Sequence, residues 1–146
     1  MLFRSYYESI TGQNSTVAAD FGGLEVNSRF NGLPADYQTC QVPMRSLDSF
    51  VRERGIMPGF IKIDAEGGEL GILLGMPETL KAWPRIMVEI NTHHEEAFRI
   101  LMSADYSLFD ETRRRVNDFA PAVFGGNIFG IHASDSEGIA IMEGRQ

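Results

Sequence analysis

The chain has 146 residues, enough for one domain with its own core and too few for two. Hydrophobic residues make up 43% and charged residues 23%, the balance of a soluble globular protein. No apolar run nears the roughly 18–20 residues that cross a bilayer. The net charge of −7 excludes nucleic acid as a partner, since phosphate binding needs massed Lys and Arg. The basic cluster Arg113-Arg114-Arg115 lies among Asp110, Glu111 and Asp118 and reads as a solvated loop. Cys40 is the one cysteine, so no internal disulfide forms. The opening residues are too polar for a signal peptide, and the whole predicts a cytoplasmic protein.

In chain order, residues 1–45 form a loop-rich region with strands predicted at Leu2 to Tyr7 and Tyr37 to Met44. Val17 to Gly23 imitates a strand with a glycine turn. No amphipathic helix follows it, so a dinucleotide loop is rejected. From residue 46 to 146 helices and strands alternate within the same single domain. Leu47, Phe50 and Val51 share one face of a helix that Ser46 can cap and Gly55 can end. Phe60 to Ile63 reads as a strand buried on both faces, ending in Asp64. Leu70 to Met76 is predicted helical up to Pro77, and Ile86 to Ile90 is the next strand, carrying Glu89. Thr92 and Glu95 have the spacing of a capping box, ahead of the helical stripe Ala97, Phe98, Leu101 and Met102. Tyr106 to Phe109 and Asn127 to Ala133 are the last strands. With no helix between them they are expected to pair antiparallel at the sheet edge. The alternation predicts an α/β fold, a parallel sheet with an antiparallel edge strand.

Ligands of open α/β sheets sit beyond the carboxyl ends of strands, where Asp64 and Glu89 fall. Two such carboxylates suit a proton acceptor or a cation, and equally suit helix capping and backbone satisfaction. Glu66 and Glu69 suit the positive end of the following helix. Gly67, Gly71 and Gly75 recur every four residues and predict a close neighbour, an element or a ligand, along that helix. His93 and His94 open the next helix, where an imidazole suits general-base work or plain solvation. His132 reads as structural. The acid and histidine spacing fits no zinc signature, so no metal site is assigned.

Taken together, Ser46-Leu47-Asp48-Ser49-Phe50, the string Lys62-x-Asp64-x-Glu66-Gly67-x-Glu69, and Pro84 to Ile90 with Glu89 resemble FkbM-type methyltransferases. The resemblance covers residues 40–110 and implies the carboxyl-terminal half of a Rossmann-like class I methyltransferase fold. It implies methyl transfer from S-adenosylmethionine to a hydroxyl of a sugar or secondary metabolite, so a small-molecule or glycan acceptor is the expected partner. Asp64 would stand nearest the reaction, with Glu89 and His93 as further catalytic candidates and Asp64 and Glu66 toward the cofactor. The family's glycine-rich turn and ribose-holding acid are not found, so the chain is expected to be truncated and to bind the cofactor weakly by itself. Two other readings stay open. One is a non-catalytic half-domain that oligomerises or awaits its missing amino-terminal half through an uncovered strand. The other is a metal-dependent hydrolase using Asp64, Glu89 and His93.

Overall fold

The computed structural model describes residues 3–8, 15–18, 38–43, 45–65, 67–90, 93–117 and 126–145, the first three segments as backbone only. Those three are strands β1 (Phe3–Glu8), β2 (Ser15–Ala18) and β3 (Gln38–Pro43). They form an antiparallel sheet in the order β2-β1-β3, with Phe3 opposite Pro43 and Tyr6 opposite Cys40. The strands expected near either end of the loop-rich region are therefore present. Much of what lies between them, residues 19–37, is outside the described residues.

Helix α1 (Leu47–Arg54) begins where Ser46 accepts a hydrogen bond from the Ser49 amide. It ends at Gly55, whose φ of 61° suits a residue without Cβ. Strand β4 (Phe60–Ile63) follows, then helix α2 (Glu69–Leu74) and the single turn α3 (Pro77–Leu80). Pro77 ends one helix and occupies the first turn of the next, where its missing N–H costs nothing. Strand β5 (Arg85–Glu89), helix α4 (His94–Ser103), strands β6 (Tyr106–Phe109), β7 (Arg115–Val116) and β8 (Asn127–His132), and helix α5 (Ser136–Met142) complete the order. The N-cap of α4 is His93, at φ 50°, so the helix starts one residue later than the Thr92 capping box would place it. Thr92 itself is outside the described residues.

Strands β4 to β8 form a five-stranded mixed sheet in the order β4-β5-β8-β6-β7. β4 and β5 are adjacent and parallel, with Ile61 opposite Ile86 and Ile63 opposite Val88. β8 is antiparallel to β6, as expected, and also to β5. It lies between them, however, and not at the edge where the sequence suggested. The reason is burial. Ile128 and Ile131 are almost fully enclosed, and Gly130 leaves room for the Tyr106 ring, whose Cδ1 would lie 3.2 Å from an added Cβ. An edge place would have exposed these apolar positions to water.

One face of this sheet holds the core: Ile63, Ile86, Val88, Ile90, Leu108 and Ile128, met by Leu73, Met76, Leu80, Phe98 and Leu101 from the helices. The other face is covered, among the described residues, by α5. Its N-cap Asp135 is gripped by Arg85 through Nε at 2.6 Å and Nη2 at 3.2 Å. This uneven cover corrects the expectation for β4. β4 is not buried on both faces, because it is the sheet's outer strand and Phe60 is 56% exposed. On β5 Ile86 and Val88 are enclosed, while Met87 between them is half-buried. No helix among the described residues is long and apolar enough to cross a membrane.

Candidate functional site at the carboxyl end of β4

A cleft of about 450 Å³ opens where β4 ends. Leu47, Phe50, Ile61, Ile63 and Ile72 make its apolar walls, and Arg45, Ser46, Lys62 and Asp64 its polar rim. Gly68, Gly71 and Gly75 form one side, which accounts for much of the glycine strip. The close neighbour at Gly75 is an element: a Cβ there would lie 3.4 Å from that of Ser46, and the Gly75 carbonyl accepts from the Asp48 amide at 3.1 Å. Further along, Gly68 and Gly71 line the cleft, and a Cβ on Gly68 would lie 3.3 Å from the Ala65 carbonyl oxygen.

The loop from β4 to α2 is shaped by Glu69. This side chain is fully buried, and its Oε1 accepts from the backbone amides of Ala65 at 3.1 Å and Gly67 at 2.9 Å. Gly67 sits at φ 98°, a conformation closed to side-chain-bearing residues at ordinary cost. The Gly-x-Glu spacing is thus the spacing of a turn tied down by its own carboxylate. The other oxygen, Oε2, is buried with no hydrogen-bond partner among the described residues. Sequence reasoning had given Glu69 only a helix-dipole role.

Asp48 was also missed as a working residue. Its carboxylate accepts from the amides of Glu78 at 2.9 Å and Thr79 at 2.7 Å, and from the Thr79 hydroxyl at 2.6 Å. Partial burial opposes its charge, but the Thr79 hydroxyl, the two amides and Arg52 outweigh that and hold its pKa below the ordinary value. It fixes α1, one wall of the cleft, to α3. The signal in sequence was the Leu-Asp pair, which does not say what the Asp meets.

Of the predicted site residues, Asp64 lines the cleft, exposed, with Lys62 Nζ 2.9 Å from its Oδ2. The β4–β5 register, carried one step past Ile63 and Val88, sets it level with Glu89 on the neighbouring strand. Glu89 is half-buried, opposite Asn127 of β8, and is not among the cleft's lining residues. His93 opens α4 beyond the same end of the sheet and does not line the cleft either. Glu66 is outside the described residues. Among those described, no group of three or more His, Cys, Asp or Glu side chains is placed to hold a metal ion, which leaves the metal-hydrolase reading without a ligand set.

The Methyltransferase FkbM domain matches the chain over residues 4–120, which takes in the amino-terminal sheet, the cleft and strands β4 to β7 and stops short of β8. The chain belongs to the FkbM methyltransferase family. The match extends well beyond residues 40–110, where the motifs lie, and includes the antiparallel amino-terminal sheet of this FkbM domain. Comparison with curated proteins and with solved structures gave no match.

Proposed function

We propose that the chain is an O-methyltransferase module that places a hydroxyl-bearing acceptor, a sugar or a secondary metabolite, in the β4 cleft. The observation that carries this is the position of Asp64. It is the one carboxylate among the described residues lining the largely apolar walls of this cleft, at the carboxyl end of a parallel strand, in a chain of methyltransferase family. On this reading β4, β5, β6 and β8 are the carboxyl-terminal half of a class I methyltransferase sheet. Family membership supports S-adenosylmethionine as the methyl donor, which when bound supplies an electrophilic methyl group.

The described residues do not by themselves make a complete site for that donor. A donor with a ribose diol and an acceptor hydroxyl would each call on a carboxylate, and among the described residues Asp64 is the one the cleft offers. Our reading therefore assigns Asp64 to the acceptor side. There its carboxylate accepts the hydroxyl proton as the oxygen becomes a nucleophile, while the Lys62 ammonium, 2.9 Å away, orients it. The apolar walls exclude water and orient the acceptor. Glu89 and His93 stand outside the cleft lining.

The test is transfer of labelled methyl from S-adenosylmethionine to a panel of hydroxylated sugars and polyketides, alongside Asp64→Asn. Transfer that falls in the variant supports the reading; equal transfer by both proteins removes Asp64 from it. The second reading, a non-catalytic interaction module, is favoured by one observation. Ile56, Met57 and Phe60 are all more than half exposed beside the open edge of β4. An absence of methyl transfer with a stable dimer in sedimentation would favour it.

A further inference from the structure

The opposite, amino end of the sheet carries a second pocket, of about 380 Å³, walled in part by Leu80, Ile100 and Trp83. Trp83 precedes β5 and lies about 15 Å or more of strand from the Asp64 end. Its φ is 59°, the left-handed region that a bulky aromatic side chain enters only with strain. Its amide closes the turn after α3 by donating to the Leu80 carbonyl at 3.0 Å, a job any residue with an N–H performs. Glycine would do so without strain. The strain therefore serves the indole.

That indole lies flat on His132, centroids 4.7 Å apart and planes at 12°. His132 is itself enclosed: the Tyr106 ring meets it edge-on at 5.5 Å, and its Nδ1 accepts from the Ser134 amide at 3.1 Å. The result is a rigid aromatic platform that still leaves Trp83 53% exposed. Beside it stands Asp105, also exposed and also left-handed, at φ 60°. Lys81 completes the rim, with its Nζ 2.6 Å from Glu78. A flat aromatic face flanked by a carboxylate and an ammonium matches the two sides of a sugar ring, its C–H face and its hydroxyls.

We propose that this pocket is a sugar-binding site distinct from the β4 cleft, with Trp83 as the stacking platform and Asp105 and Lys81 as hydroxyl partners. It does not depend on methyl transfer, so either reading stands or falls without the other.

Trp83 is the chain's one tryptophan, so its fluorescence reports on the site directly. The experiment titrates the full chain with the methyl glycosides of glucose, galactose, mannose and rhamnose, and with p-cresol as a flat apolar probe. The expected result is a saturable emission change with at least one glycoside. It should be weakened about tenfold or more in Asp105→Gly, a substitution that suits the local φ while removing the carboxylate. Ligand-observed NMR on Trp83→Gly should show the binding gone, with the thermal midpoint checking that the variant is folded. No saturable change with any glycoside overturns the proposal, as does a response to p-cresol alone or undiminished binding by Asp105→Gly.

Discussion

Asp48 holds Thr79 at two points, through the backbone amide at 2.7 Å and the hydroxyl at 2.6 Å, across 31 positions of sequence. Thr79 is almost fully buried, so both donors lose their acceptor in Asp48→Ala and find no water in exchange. The expected loss is on the order of 2 kcal/mol of unfolding free energy, read by denaturant titration. Asp48→Asn keeps one acceptor oxygen and should lose less. A change below about 0.5 kcal/mol in the Ala variant would show that α1 is held by other contacts.

Acid should weaken the fold in a defined window. Asp135 is held below its ordinary pKa by the Arg85 guanidinium and the Gly138 amide. In Asp110 the Thr112 hydroxyl acts the same way, and Asp48 is lowered too. Each carboxyl binds its proton less readily folded than unfolded. Their stabilisation is complete above the unfolded carboxyl pKa, about 3.9, and is lost as pH falls through the lower folded values. Thermal midpoints followed from neutral pH to about pH 2 should drop chiefly below pH ~4, and less so in an Asp48→Asn, Asp135→Asn double variant. A midpoint flat across that range would contradict the assignment.

The first and last residues of β4 should behave oppositely. Ile63 is 2% exposed within the core, and its truncation to Ala should cost about 2–5 kcal/mol, as should Phe98→Ala. Phe60 projects from the thinly covered face, and Phe60→Ser should change stability by no more than about 0.5 kcal/mol. Equal losses at Ile63 and Phe60 would mean that the outer face is covered in solution.

For Asp64 the separation is between turnover and stability. A positioned general base contributes about 10²–10⁴ in rate, so Asp64→Asn should lose most methyl transfer while its thermal midpoint stays close to that of the parent. Loss of stability with unchanged turnover per folded molecule would make Asp64 a structural cap.

The sequence made the local features readable. Ser46 and Gly55 bracket α1 because capping acts over three or four residues, and that distance is visible in a string of letters. The parallel pair β4–β5 followed from the intervening helices. Strand order across the sheet is a non-local property, and so β8 was expected at the edge it does not occupy. An apolar run also cannot say which strand stays uncovered, which is why Phe60 was placed in the core. In the site, Asp64 and Glu89 were legible as strand-end carboxylates. The work of Asp48 was not, since its partner lies a whole strand and helix away. Trp83 gave no signal at all, because a left-handed φ at a tryptophan is written by its surroundings.

The seat of β8 between β5 and β6 sets the order in which the molecule can be assembled. A nascent chain that has released β4, β5 and β6 still holds two disconnected pieces, because the strand that joins them emerges last. The sheet must therefore close after nearly all of residues 60–132 have left the ribosome, by long-range pairings that are intrinsically slow. Until then the inner edges of β5 and β6 lie open to other strands. Translation halted before Asn127 should yield aggregates and not a smaller folded domain.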